Sequence, residues 1–269
     1  MPGASTASTQ AVLERTQTSL SHGADGTKLG NELFAVATTL DGQHSLRRAL
    51  TEPAVPTAAK VALAKALIGG QVGEATFGVL EEAVGRRWSR TRDLADALEQ
   101  ASVLSHVAKA DDAGNLDTVE DDLFRFGRIA DGNAELRDAL ADAAVPVEGK
   151  RSLVDDLVGQ KVDATTRVLL EQAVSGRHRS LTSTLALYQR VAASRRDRMV
   201  ATVWVAAPLS EDHKARLAKA LSNEHDRPMH LNVVVDPELL GGVRVAVGDE
   251  VLDSTVEARL KQAQRRLEH

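Results

Sequence analysis

The sequence contains no cysteine and few aromatic residues, and both absences limit what the protein can be. Without cysteine, the 269-residue chain has no disulfide and no thiolate metal ligand, which is compatible with a reducing compartment. Aromatic residues make up 3% of the chain, so aliphatic side chains and alanine must fill any core. Because alanine and leucine favour helices, we expect a mainly helical protein.

Long apolar runs and an excess of positive charge are also missing. No window of about 18 consecutive apolar residues exists, so we expect no membrane-spanning segment. Residues 1–10, MPGASTASTQ, have neither a basic region nor an apolar core, and they predict a disordered lead rather than a secretory signal. The net charge of −5 argues against nucleic acid as the main partner.

An internal repeat organises most of the chain. Residues 33–84 align without gaps to residues 123–174 at an offset of 90, with 21 identities in 52 positions. The period is too long for a solenoid, so it predicts two tandem helical bundles. We place the first copy at 1–98 and the second copy at 99–198. Equivalent leucines should have equivalent burial: Leu50, Leu63, Leu67 and Leu80 in the first copy, and Leu140, Leu153, Leu157 and Leu170 in the second.

Apolar periodicity and turn residues predict six helices in each copy. The last helix of the first copy can continue into the first helix of the second. The predicted helices are 11–21, 29–40, 44–50, 57–68, 73–84 and 91–98 in the first copy, and 100–110, 118–129, 134–140, 147–158, 163–174 and 180–196 in the second.

The pattern changes from helical to mixed after Arg198. Residues 200–206, 231–236, 243–247 and 251–252 predict strands, and residues 210–224 predict a helix. A closing helix follows Asp253 or Ser254, either of which can cap it. The chain is thus predicted to be mainly α with a small α+β C-terminal domain of order β-α-β-β-β-α, residues 199–269.

The C-terminal stretch resembles the signature of the delta subunit of F-type ATP synthase, called the oligomycin-sensitivity-conferring protein in mitochondria. The matching features are an apolar run that ends in an acidic residue, Gly241-Gly242, a V-x-V-x-V-G strand that ends at Gly248, and Asp253-Ser254 before a leucine-spaced helix. Residues from about 99 onwards resemble the whole of such a subunit. The first copy is then an additional bundle, similar to the enlarged delta subunits of actinobacteria.

The resemblance implies a non-catalytic stator subunit in the peripheral stalk, without cofactor, metal or catalytic residue. Its bundle would hold the N-terminal segment of an α subunit, and its C-terminal domain would hold the C-terminal end of the b subunit. Proton flow would thereby be coupled to ATP synthesis. The protein would lie at the cytoplasmic face of the bacterial cell membrane, associated with it through the complex alone. A helical adaptor of another complex and an enzyme with an unrecognised pocket are the alternatives.

The resemblance also implies contact residues. The α segment would dock on the first and fifth helices of one bundle copy, and the second copy is favoured because it adjoins the C-terminal domain. The expected α contacts are Val103, Val107, Val168 and Leu169, and the expected b contacts are Leu217, Leu221, Arg265 and Arg266. The sequence does not decide which copy binds α or how many α chains are bound.

Several segments resemble ligand sites but have simpler interpretations. His225, Asp226 and His230 lack helical metal-ligand spacing, which favours a polar loop. Residues 111–117, DDAGNLD, have no glycine at the sixth position of a calcium loop, which favours an inter-helix linker. Gly69-Gly70 follows a predicted helix, which favours a C-cap over a phosphate cradle.

Overall fold

The computed structural model describes residues 3–142, 144–159, 161–175, 180–196, 199–225, 229–237, 239, 241–247 and 250–253. The chain divides into two compact units, which we call the helical unit (Met1–Arg195) and the sheet unit (Arg196–His269). The described helices of the helical unit are α1 (Ala4–Ser21), α2 (Gly26–Gly42), α3 (His44–Thr51), α4 (Thr57–Ile68), α5 (Glu74–Gly85), α6 (Thr91–Asp112), α7 (Leu116–Gly132), α8 (Ala134–Ala141), α9 (Val147–Val158), α10 (Ala164–Ala173) and α11 (Leu181–Arg196).

Local sequence explains where several of these helices begin and end. The Asp25 carboxylate accepts hydrogen bonds from the backbone N–H groups of Thr27 and Lys28 at the start of α2. Pro56 and Pro146, which lack a backbone N–H, precede α4 and α9. Gly69 caps α4, as the sequence predicts.

The predicted disordered lead is wrong, because α1 begins at Ala4. Its first turns are held by hydrogen bonds to distant residues that the sequence pattern does not reveal. The Ser5 hydroxyl donates to the Asp93 carboxylate at 2.5 Å, and the Ser8 hydroxyl donates to the Arg87 carbonyl at 2.6 Å. The first helix therefore includes residues that were expected to be disordered.

Helix α6 is the central element of the helical unit. It runs without interruption through residues 98 and 99, where the two copies were predicted to meet, and it contacts α1, α2, α3, α5, α7 and α10. Leu94 and Leu98 belong to the core of the first copy, whereas Val103 and Val107 belong to the core of the second. A single helix thus contributes to both cores.

The repeat is visible in equivalent contacts. The Glu32 carboxylate on α2 accepts hydrogen bonds from the Gly73 N–H and the Thr76 hydroxyl. At an offset of 90, the Asp122 carboxylate on α7 accepts from the Asp163 N–H and the Thr166 hydroxyl. Each pair of bonds ties the second helix of a copy to the start of its fifth helix.

Equivalent leucines also have similar burial, as predicted. Two pairs are buried, Leu50 with Leu140 and Leu80 with Leu170. The other pairs lie towards the surface: Leu63, Leu67 and Leu157 are exposed, and Leu153 is half-buried.

The sheet unit contains β1 (Met199–Val205), α12 (Glu211–His225), β2 (Met229–Val235), β3 (Val243–Val247) and β4 (Glu250–Asp253). The strand order is β2-β1-β3-β4, with β1 and β2 parallel and the other two pairs antiparallel. Helix α12 makes the crossover between the parallel strands. In the register, Val203 lies between Val233 and Val245.

The described elements confirm the predicted fold class, mainly α with a small α+β C-terminal domain. The predicted closing helix lies outside the described residues. Among the helices that are described, none is both long and apolar enough to cross a membrane.

Candidate functional site

Helix α2 of the first copy packs closely on the part of α6 that belongs to the second copy. Gly26 and Gly30 make this approach possible because they have no side chain. A Cβ atom at Gly26 would lie 2.8 Å from the Ser105 carbonyl oxygen, and one at Gly30 would lie 2.5 Å from the His106 Nε2. The two copies are therefore joined by a close helix–helix contact, which we call the inter-copy seam.

A buried hydrogen-bond network lies in the inter-copy seam. The Ser102 hydroxyl donates to the Gly30 carbonyl at 2.7 Å and lies 3.3 Å from the Gln172 Oε1. The Gln172 Nε2 lies 3.1 Å from the His106 Nε2. If the amide donates here, the His106 Nε2 is the acceptor and the imidazole is neutral. Helices α2, α6 and α10 thus meet through polar groups that have partners.

Burial determines the protonation of His106. Desolvation lowers its pKa from 6.5 to about 4, because the charged imidazolium would lose its water in this site. His106 is therefore neutral at pH 7, which agrees with an imidazole nitrogen that accepts a hydrogen bond from Gln172.

The residues predicted to contact α lie in or beside this region. Val103, Val107 and Leu169 have no exposed surface and belong to the core of the second copy, while Val168 is half-buried. In this structure three of the four are core residues, and their contact with α stays a prediction. The sequence could not show this, since the apolar spacing of a core helix and of a docking helix is the same.

Exposed leucines lie on α4 and α9, at equivalent positions that the sequence pattern did not mark as contacts. On α4, Lys60, Leu63 and Leu67 are spaced three and four residues apart, and Lys150, Leu153 and Leu157 repeat this spacing on α9. We call these two sets the Lys-Leu-Leu strips. Their signal is present in the alignment of the two copies, because all three positions are identical.

The C-terminal signature lies at the start of β3. Gly241 and Gly242 have φ angles of 91° and 88°, a region that side chains other than glycine rarely adopt. Asp253 ends β4, opposite Arg244 in the register. Gly248 and Ser254 lie outside the described residues. The two described glycines thus give the backbone that enters β3 a conformation that requires glycine.

Replacing Gly242 by valine should lower the free energy of unfolding of the sheet unit by roughly 1–3 kcal/mol, because a β-branched residue is strained at this φ. Thermal unfolding followed by Trp204 fluorescence, in a chain carrying Trp88→Phe, measures the change. Gly242→Asn is the matched control, since asparagine tolerates positive φ better. Equal losses of unfolding free energy in Gly242→Val and Gly242→Asn would show that the positive φ of Gly242 does not cause the destabilisation.

The predicted b contacts fall in two places. Leu221 is buried in the core between α12 and the sheet, and Leu217 is half-buried against the same core; their contact with b stays a prediction. Arg265 and Arg266 lie outside the described residues. Exposed apolar side chains occur instead on the edge strand β2, at Val234 and Val235.

The segments considered as ligand sites have structural roles where they are described. Residues 113–115 connect α6 to α7, and the Arg195 Nε donates to the Asp111 carboxylate at 2.8 Å, so this stretch is a linker as predicted. Asp226 lies outside the described residues. Within the described part of the chain, no group of three or more His, Asp or Glu side chains could hold a metal ion.

Comparison with known proteins gives relatives that match nearly the whole chain. A protein of Streptomyces coelicolor named ATP synthase subunit delta is 47% identical over 244 residues, 90% of this chain and 89% of that protein. Proteins with the same name from Streptomyces avermitilis and Thermobifida fusca are 45% identical over 267 residues and 42% identical over 268 residues. The Streptomyces avermitilis match covers 98% of this chain and 98% of that protein. The Thermobifida fusca match covers 99% of this chain and 99% of that protein. The first copy is thus shared with these relatives.

Two helical bundles that share one helix, followed by a small sheet unit, define a two-unit helical scaffold protein. The family model of the ATP synthase delta (OSCP) subunit matches residues 101–267, which begin inside α6 and include the second copy and the sheet unit. The chain therefore belongs to the ATP synthase delta (OSCP) subunit family. It is a non-catalytic subunit of the ATP synthase complex, with a role in the peripheral stalk.

Proposed function

We propose that this chain connects the α subunits of the catalytic head to the C-terminal end of the b stalk, at the cytoplasmic face of the membrane. The helical unit binds the N-terminal segment of α, and the sheet unit binds b. The connection resists the torque of the rotor, so that proton flow drives ATP synthesis. The observation that carries the proposal is the division into two units with separate cores, each able to hold one partner.

In this proposal the two copies act as one unit, because they share packing. Helix α6 contributes to both cores, and α2 covers Ser102 and His106 of the second copy. A helical unit held together in this way is suited to transmitting force, because its bundles cannot separate without exposing a buried polar network. The α segment would then bind the outer surface of this unit.

We assign the b contact to the sheet unit, because this unit is separate from the helical unit and is the smaller of the two. The exposed Val234 and Val235 on β2 can supply apolar anchors, and Arg265 and Arg266, which lie outside the described residues, stay the predicted basic contacts. A helical b segment would be held by a few such anchors rather than by a deep pocket.

Residues 199–269 should retain a soluble C-terminal segment of b in a pull-down, and residues 1–198 should not. The division falls between α11 and β1, so it interrupts no described helix or strand. The full-length chain is the positive control, and circular dichroism checks that each fragment is folded. Retention of b by folded 1–198 at full-length affinity would contradict the proposal.

A further inference from the structure

Helices α2 and α7 occupy equivalent positions in the two copies, but one side of each has a different environment. On α2, Gly30 and Phe34 are buried, and Phe34 is 7% exposed. At an offset of 90, Glu120 is half-buried and Phe124 is 59% exposed. Residues four apart lie on the same side of a helix. One side of α7 is therefore uncovered where the matching side of α2 is covered.

The second copy lies against this side of α2, and it does so with an antiparallel helix. Gly26 lies against Ser105 of α6, whereas Gly30, one turn later, lies against Ser102 and His106. Contacts thus move backwards along α6 as they move forwards along α2. The repeat has two copies, so no third copy lies beside α7. The matching side of α7 is consequently suited to an antiparallel helix from another chain.

Phe124 is the exposed member of the four phenylalanines in the chain. Phe34 and Phe126 are buried, and Phe77 is half-buried. The same residue type is thus present at an equivalent position in both copies, buried in one and open to solvent in the other. Aromatic side chains are enriched in protein interfaces, which makes this position a candidate contact.

Charges on either side of Phe124 show which helix fits. Glu120 lies one turn before it and Arg128 one turn after it, and we call these three residues the α7 ridge. Arg128 is exposed and has no ion pair or side-chain hydrogen bond within the described part of the chain. The equivalents on α2, Gly30 and Thr38, are uncharged. A reversed second α7 ridge would place Arg128 opposite Glu120 twice, so the ridge is complementary to itself.

A head-to-tail contact between two chains does not fit this side of α7. It would require the first copy of a second chain to cover α7 as the second copy covers α2. The residues equivalent to Ser102 and His106 are Val12 and Thr16 on α1, and both are 0% exposed. They are already covered within their own chain. The contact that remains between two copies of this chain is isologous, with the same surface on both sides of a two-fold axis.

We propose that two copies of this chain associate through their α7 ridges, which run antiparallel about a two-fold axis at Phe124. Phe124 packs against Phe124 of the other chain, and each Arg128 pairs with Glu120 of the other chain. Residues four apart form a ridge of the kind that packs between helices. One pair of helices is smaller than a standard interface, so the dimer is weak. The inference goes beyond the proposed function and requires neither the α contact nor the b contact.

Sedimentation velocity of the full chain over a concentration series tests the inference. The weight-average mass of the wild type should rise from that of one chain towards that of two. Phe124→Ser should weaken self-association by roughly tenfold or more. Ile129→Ser is the matched control, because Ile129 is 58% exposed but lies on a different side of α7, and it should associate like wild type. Circular dichroism checks that both variants are folded.

An exchange of charges tests the antiparallel arrangement. Arg128→Glu and Glu120→Arg each place like charges opposite one another, so each variant alone should associate more weakly than wild type. An equimolar mixture of the two should recover association. In a mixed pair both positions of one chain are arginine and both positions of the other are glutamate, so both contacts again join opposite charges.

Three results would overturn the proposal: a wild type that stays monomeric, self-association that Phe124→Ser does not weaken, or a mixture that does not recover. Binding of a soluble b segment or of an α N-terminal peptide, measured with the same variants, identifies the other kind of occupant. Loss of that binding in Phe124→Ser, with a monomeric wild type, would assign the α7 ridge to a different protein. The proposed function fails separately, since its test is the binding of b by residues 199–269.

Discussion

Replacing Gly30 by leucine is expected to lower the free energy of unfolding of the helical unit by about 3 kcal/mol. A Cβ atom at this position would lie within 2.8 Å of three atoms of the His106 ring, and the rest of the leucine side chain would need further space. His106 cannot move away freely, because it is buried and contacts Gln172. Helices α2 and α6 would have to separate, which would expose the polar groups of the inter-copy seam.

Gly132→Leu is the matched control for this substitution. Gly132 also lies in a helix, at the end of α7, but nothing lies within 4 Å of a Cβ placed there. Its effect should stay within about 0.5 kcal/mol.

Each unit contains one of the two tryptophans of the chain, Trp88 in the helical unit and Trp204 in the sheet unit. In a Trp204→Phe background, the fluorescence of Trp88 during denaturant unfolding therefore reports the helical unit. Equal stabilities of the Gly30 and Gly132 variants would contradict the close contact between α2 and α6.

The inter-copy seam also shows how far the sequence could predict the fold. The repeat and the periodicity predict the bundles and most helix positions, because both depend on local spacing. They do not separate residues that face the core of their own copy from residues that face the other copy, since both are apolar or small. A signal was nevertheless present: Gly26 and Gly30 are replaced by Leu116 and Glu120 in the second copy, which has no need for the same close approach.

The same limit applies to the predicted contacts with α and b, which stay predictions. Val103 and Val107 were predicted as α contacts from the family resemblance, and the structure places both in the core of the second copy. Leu221 was similarly assigned to b, although a crossover helix must use its apolar side against the sheet. The Lys-Leu-Leu strips become visible once burial is known, because identity between copies alone does not separate core from surface.

The stability of the helical unit should fall as the pH is lowered from 7 to 4, and His106 should account for about 3 kcal/mol of this loss. In the unfolded chain the imidazole binds a proton near its ordinary pKa of 6.5, whereas in the folded chain desolvation lowers the pKa to about 4. Between these values the unfolded state holds one more proton, so acid favours unfolding. The contribution is fully present above pH 6.5 and lost by about pH 4.

Comparison with His106→Gln isolates this contribution from that of the carboxylates, which titrate in both proteins. Glutamine can accept a hydrogen bond from Gln172 but cannot bind the proton, so the variant should lose less stability between pH 7 and pH 4 than the wild type does. Denaturant unfolding followed by Trp88 fluorescence, at intervals of half a pH unit, gives both curves. The comparison uses the slope of the free energy of unfolding against pH in each protein. A loss of stability in the variant that is the same at every pH therefore does not affect the result. Parallel curves across this range would mean that His106 is not held neutral by burial in the inter-copy seam.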